Sequence, residues 1–158
     1  MMSSNLDERV KAWICKAKGL WSRRVRPSDA SVIGDFTGSE IETGEWLVTF
    51  RDFEISPEQV RQLSVAYHFL SVERMDYFLF SFLRGNIINR READVSVELA
   101  AIHISRGTVD AIMERFDASE LHSIQDYFLL IDELRGGALE EEVVALRMVC
   151  DAINAQDD

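Results

Sequence analysis

Lysine is absent after position 18 of this 158-residue chain, and cysteine and proline occur only twice each. Without lysine, residues 27–158 set 10 arginines against 26 aspartates and glutamates, a net charge of −16. Residues 1–26 carry the opposite sign: Arg9, Lys11, Lys16, Lys18, Arg23, Arg24 and Arg26 face only Asp7 and Glu8, a net charge of +5. The body is thus an acidic surface, suited to a basic partner and repellent to nucleic acid and anionic membrane. Two distant cysteines, Cys15 and Cys150, exclude a disulfide framework and a clustered zinc site. Each falls in an apolar helical stripe, which predicts reduced, buried thiols. No apolar run approaches the roughly 20 residues of a membrane span. The longest is Tyr77–Phe80, resuming at Phe82–Leu83 after Ser81. The opening MMSSNLDERV has acids where a signal peptide needs basic residues, so the expected location is cytoplasmic.

Catalytic signatures are equally scarce. The three histidines, His68, His103 and His122, have Val65, Ala100 and Ser119 three residues before them, so the Glu-x-x-His pattern of di-iron bundles is missing. No His-Glu-x-x-His motif and no Gly-x-Ser-x-Gly elbow occurs. Gly34-x-x-x-Gly38 lacks the lysine and hydroxyl of a phosphate-binding loop. The expectation is a protein without metal or other cofactor and without catalytic residues. An enzyme whose site is assembled from scattered residues such as His68, His103 and the carboxylates is the alternative in that direction.

What is present is helical periodicity. The length suits one domain with an ordinary core, and 47% apolar content is too high for a disordered acidic tail. Ser4-Asn5-Leu6-Asp7 has capping-box spacing, followed at the helical period by Val10, Trp13, Ile14, Ala17, Leu20 and Trp21, with Pro27 as the expected stop. Ser56-Pro57-Glu58-Gln59 predicts a helix start running to about His68. Ser71 caps a stretch to Arg84 that stops at Gly85-Asn86 and is apolar on both sides, as a central helix would be. Asp94, Thr108, Asp117 and the Leu139–Ile153 stripe mark four more. Between residues 28 and 55 the periodicity fails, and glycines punctuate a partial alternation of Trp46, Val48, Phe50 and Phe53. That segment reads as a long loop holding a short helix or strand pair. The prediction is an all-α, single-domain, irregular bundle of about six or seven helices: a basic first helix (1–26), an irregular acidic and aromatic segment (27–55) and a helical core (56–154).

Within the irregular segment, Glu40, Glu42, Glu45, Asp52 and Glu54 are interleaved with Trp46 and Phe53. Carboxylates for steering and aromatics for anchoring are what a surface for a basic protein partner needs. The plainer reading is that the aromatics only fold the loop onto the core. Glu140, Glu141 and Glu142 form a second acidic candidate, although a first helical turn favours acids anyway. Six of the 15 aromatic residues fall between Tyr67 and Phe82, which core packing explains and a pocket or self-association face would also use. The basic first helix is expected to pack by its Trp face and to pair its charges with the acidic body.

From Asp52 onward, Asp52-Phe53, Phe69-Leu70-Ser71-Val72-Glu73 and Tyr77-Phe78-Leu79-Phe80-Ser81-Phe82-Leu83, then Glu114-Arg115-Phe116, Leu121 and Phe128-Leu129, resemble a family of small acidic bacterial proteins of uncharacterised function. The chain has Phe53 and Phe80 where that family has Trp and Pro. In general profile it is also similar to immunity proteins of interbacterial toxin systems, which are small, acidic, cytoplasmic and helical. That likeness implies a non-catalytic antitoxin that neutralises a cognate cytoplasm-acting toxin by stoichiometric occlusion. An adaptor or regulator with a different basic partner is the alternative.

Overall fold

Thirteen of the 17 residues in the helix Val72–Ile88 are buried, which makes it the axis of the molecule. In the computed structural model, which describes residues 2–28, 45, 46, 48–50, 52–61, 70–90 and 94–156, this helix is α2 of the six α-helices whose full range lies among the described residues. The others are α1 (Met2–Trp21), α3 (Asp94–Ile104), α4 (Val109–Arg115), α5 (Ala118–Arg135) and α6 (Glu140–Gln156), with a 3-10 turn at Pro57–Gln59. No strand occurs among the described residues, and the fold is all-α as the periodicity predicts. None of the described helices is long and apolar enough to cross a membrane. Helix α2 packs on α1, α3, α5 and the 3-10 turn, while α6 covers α3, α4 and α5 from the other side.

Most of the caps form as the sequence implies. Ser71 accepts from the Arg74 amide at 3.3 Å and Thr108 from the Ala111 amide at 3.2 Å. Asp117 and Glu120 make a full reciprocal box at 2.8 and 3.0 Å. Helix α5 ends at Gly136, whose φ of 75° is a backbone state that only glycine adopts cheaply.

Four boundaries differ from expectation, each for an identifiable reason. Helix α2 runs through Gly85-Asn86 to Ile88. Gly85 serves close packing instead of stopping the helix: a Cβ there would lie 2.6 Å from Val60 Cγ2. Helix α1 begins at Met2, so Ser4 lies inside it, and it ends at Trp21, well before Pro27, where Ser22 to Arg24 turn back on Lys18, Leu20 and Trp21 carbonyls. Ser56 does not cap the backbone; its hydroxyl donates to Gln59 Oε1 at 2.9 Å, and the chain enters a 3-10 turn. Most of the helix expected up to His68 lies outside the described residues. In the irregular segment a helical turn forms at Glu45, Trp46 and Val48, with Thr49 bonded back to the Trp46 carbonyl, so these aromatics do not alternate along a strand.

The first helix docks by its tryptophans. Trp13, Ala17 and Trp21, spaced by four, are buried, and both indoles donate across to backbone carbonyls: Trp13 to Ser123 at 2.8 Å, Trp21 to Asp76 at 2.9 Å. Cys15, two residues round the helix from Trp13, is therefore exposed and not buried as its neighbours suggested; Cys150 is half-buried, within 3.3 Å of Gln125 Nε2. Three basic residues at this end of the chain find acids on the body: Arg9 with Glu133 at 2.8 Å, Lys18 with Glu54 at 3.1 Å and Arg24 with Glu120 at 2.7 Å.

Candidate functional site

The end of α1 organises the acidic and aromatic turn. Beyond that helix, Arg26 donates to the Phe50 carbonyl at 3.1 Å and to the Val48 carbonyl at 3.4 Å, anchoring the segment that carries Trp46. Trp46 and Phe50 meet edge-on, with ring centroids 4.9 Å apart, and both remain half-buried. Glu45 beside them is exposed. Asp52 is exposed too, and its Oδ1 accepts the Glu54 amide at 2.8 Å, which fixes the turn leading to Phe53. Phe53 and Ile55 then drop into the core, where the Ser81 hydroxyl donates to the Phe53 carbonyl and accepts the Ile55 amide.

Of the acids assigned to a partner surface, the structure brings Glu45, Asp52 and Glu54 into one stretch with Trp46, while Glu40 and Glu42 lie outside the described residues. Glu54 is the least available of the three. Partial burial pushes its carboxyl up, but bonds from Lys18 and Arg84 outweigh that and hold it below the usual carboxylate range. In the second candidate, Glu140 is exposed but Glu142 turns inward. Its Oε1 accepts from the Leu139 amide at 3.0 Å and from Arg135 at 3.3 Å, so it closes the α5–α6 corner and cannot face a partner. Burial raises its carboxyl above the ordinary 4.5 despite those two donors. The expectation that Glu140, Glu141 and Glu142 form one surface patch therefore fails at Glu142.

The most elaborate polar cluster was not legible as one. Asp76, on α2, is buried and its carboxylate accepts from three nitrogens: His103 Nε2 at 2.7 Å, Arg115 Nη2 at 2.9 Å and Arg115 Nε at 3.1 Å. Arg115 also donates to the carbonyls of His103, Ile104 and Arg106, at 3.1, 3.3 and 3.4 Å, tying the end of α3 to α4. Burial pushes the Asp76 carboxyl up, and the His103 and Arg115 bonds reverse this to hold it below its ordinary value. For His103 burial prevails over the attraction of Asp76, so its pKa falls below 6.5 and the ring is neutral at physiological pH. The one available hint was an acid at position 76 inside a run that is apolar on every side.

A histidine against a carboxylate is the geometry of a general base. Here the ring has no exposure, and a bidentate guanidinium holds the same carboxylate. The arrangement clamps α2, α3 and α4 together and presents no proton-accepting atom to a substrate. His122 is exposed, and His68 lies outside the described residues. No group of three metal-ligating side chains occurs among the described residues.

Clefts between the described residues include two of moderate size. One, of about 310 Å³, lies between α1 and α5 over Trp13 and Leu130, with Arg9, Lys16, Asp126 and Leu129 at its sides. The other, of about 260 Å³, lies where Pro57, Glu58, Val60 and Arg61 meet Gly85, Asn86 and Asn89 of α2 and its end, and Ser96 of α3. Neither includes the Asp76 cluster. No family model, curated protein or solved structure matches the chain.

Proposed function

We propose that this chain is a non-catalytic binding protein of the immunity type, which captures a basic protein partner through the turn carrying Glu45, Trp46, Phe50 and Asp52. The supporting observation is the build of that turn: an aromatic pair braced from below by Arg26, with carboxylates exposed on either side. A half-buried Trp with a fixed neighbour offers contact area at little entropic cost, and exposed acids raise the encounter rate with a basic surface. Arg9, Lys18 and Arg24, which would repel such a partner, are already paired to acids of the body. The reading as an enzyme is weakened because the best-formed histidine–carboxylate pair is sealed and clamped.

Recovery of the partner by affinity capture from the source cells, followed by binding measurements with purified proteins, tests this. Glu45 and Asp52 replaced together by Lys should slow association, with an effect that shrinks as salt rises, because a Debye length near ~8 Å at physiological ionic strength screens exposed charges. Trp46→Ala should act on dissociation, by roughly 2 kcal/mol if the ring is an anchor. A partner that harms cells without this chain and not with it supports the antitoxin role; a harmless basic partner would make the protein an adaptor. Unchanged affinity in both variants would overturn the placement of the interface.

A further inference from the structure

We propose that the cleft between α1 and α5 is a self-recognition face, on which a second copy of this chain docks about a two-fold axis running along the cleft. The starting observation is a pair of matching stripes. Arg9, Ala12 and Lys16 lie at i, i+3 and i+7 on one side of α1, and Asp126, Leu129 and Glu133 repeat that spacing on α5. The two helices run antiparallel, since Arg9 meets Glu133 at one end while Arg24 meets Glu120 at the other. Lys16 therefore stands level with Asp126, and Ala12 with Leu129, across a cleft of about 310 Å³ floored by Trp13 and Leu130. Within one copy the match is incomplete. Arg9 binds Glu133 through Nη1 only, with both side chains about half exposed, and Lys16 and Asp126, both exposed, form no ion pair with any described residue.

A second copy completes the match. Rotation about an axis parallel to both helices lays α1 of one copy over α5 of the other without changing any residue's level along the cleft. Lys16 then faces Asp126 of the second copy, the free nitrogens of Arg9 face its Glu133, and each contact is made twice because the interface is isologous. Leu129, 52% exposed between Asp126 and Glu133, seats against Ala12 of the second copy, where the short side chain leaves room. The apolar floor leaves water in the same step. An axis across the helices would instead stack α1 on α1 and α5 on α5, and the like charges so opposed would repel. Charge also selects the occupant: a purely basic partner meets Lys16 and a purely acidic one meets Asp126, whereas this chain, although net −11, brings both signs in the required order on this face. None of these residues belongs to the partner-binding turn, so the two readings fail or survive separately.

Sedimentation equilibrium of the full chain tests this. A monomer–dimer equilibrium with no larger species is expected, because a two-fold face closes on itself. Lys16→Glu and Asp126→Lys should each weaken dimerisation roughly tenfold or more, by opposing like charges at two places, while the two changes combined should restore most of it. Leu129→Ser, which leaves every charge in place, should also dissociate the dimer. All three positions are exposed, so the variants should fold, and unchanged far-UV circular dichroism verifies that for each. A chain that stays monomeric up to roughly 1 mM would overturn the proposal. So would a dimer indifferent to both single charge reversals or to Leu129→Ser, or one that the double change fails to restore.

Discussion

Replacing Asp76 by alanine should be among the most destabilising single changes in this protein. The substitution removes the carboxylate that holds His103 and both faces of the Arg115 fork, on a residue only 3% exposed. Arg115 cannot simply turn to water, because its nitrogens are also engaged by three carbonyls and its plane lies over the Phe116 ring at 4.9 Å. An uncompensated charge remains in the interior, which costs about 3–5 kcal/mol, a large part of the ~5–15 kcal/mol of a typical domain. Asp76→Asn should cost less, since an amide oxygen still accepts one bond. Asp76→Leu with Arg115→Met should recover much of the loss, because well-packed apolar replacements of a buried pair are often neutral. Urea denaturation by linear extrapolation measures all three, with the midpoint falling and the slope unchanged if only stability moves. A loss below about 1 kcal/mol for Asp76→Ala would refute the reasoning, since that is the value of an exposed pair.

The same cluster predicts an acid sensitivity with a definite sign. His103 has a folded pKa below its ordinary 6.5, so the unfolded state takes up the proton first. Its contribution is fully present above pH 6.5 and is lost as pH falls from there towards the folded value. Asp76, also held below its ordinary 3.8, adds a second loss that begins only near and below that pH. Glu142 runs the other way: its folded pKa is raised above 4.5, so ionisation destabilises the fold as pH climbs through that window. Stability measured from pH 8 to pH 5 should therefore decline in the parent protein, and His103→Gln should flatten the upper part of that decline.

Three further outcomes can be checked by thermal or urea unfolding. Gly85→Ala should cost about 1–3 kcal/mol, because the new Cβ meets the branched Val60 side chain and overpacks it; a neutral result would mean that the 3-10 turn can move away from α2. Trp21→Ala should cost about 3–5 kcal/mol, while Lys18→Gln should stay within about 1 kcal/mol, and equal losses would show that α1 is held by charge rather than by its indoles. Chelators should leave the melting temperature unchanged, and a fall would reveal a metal site involving residues beyond those described.

The helices were legible because each carries its own signal in a short window: a capping hydroxyl or carboxylate, an apolar stripe, a glycine after the last turn. Ser71, Thr108 and the Asp117–Glu120 box needed no tertiary information, since the groups they satisfy lie three residues away. What failed was the meaning of residues whose role depends on a distant partner. Gly85 looked like punctuation because Val60, 25 positions earlier, is invisible to a local window. Cys15 looked buried because its neighbours are apolar, although it sits on the opposite side of α1 from Trp13 and Trp21. Glu142 looked like one acid of a surface triplet, whereas successive helical residues point about 100° apart, and only that member faces the corner under Leu139 and Arg135. The Asp76 cluster is the extreme case, with three residues 27 and 12 positions apart joining three helices. A polar residue inside a largely apolar helix is thus the one local sign of such a cluster; on α2 the buried polar positions are Arg74, Asp76, Ser81 and Asn86, and Asp76 is the acid among them.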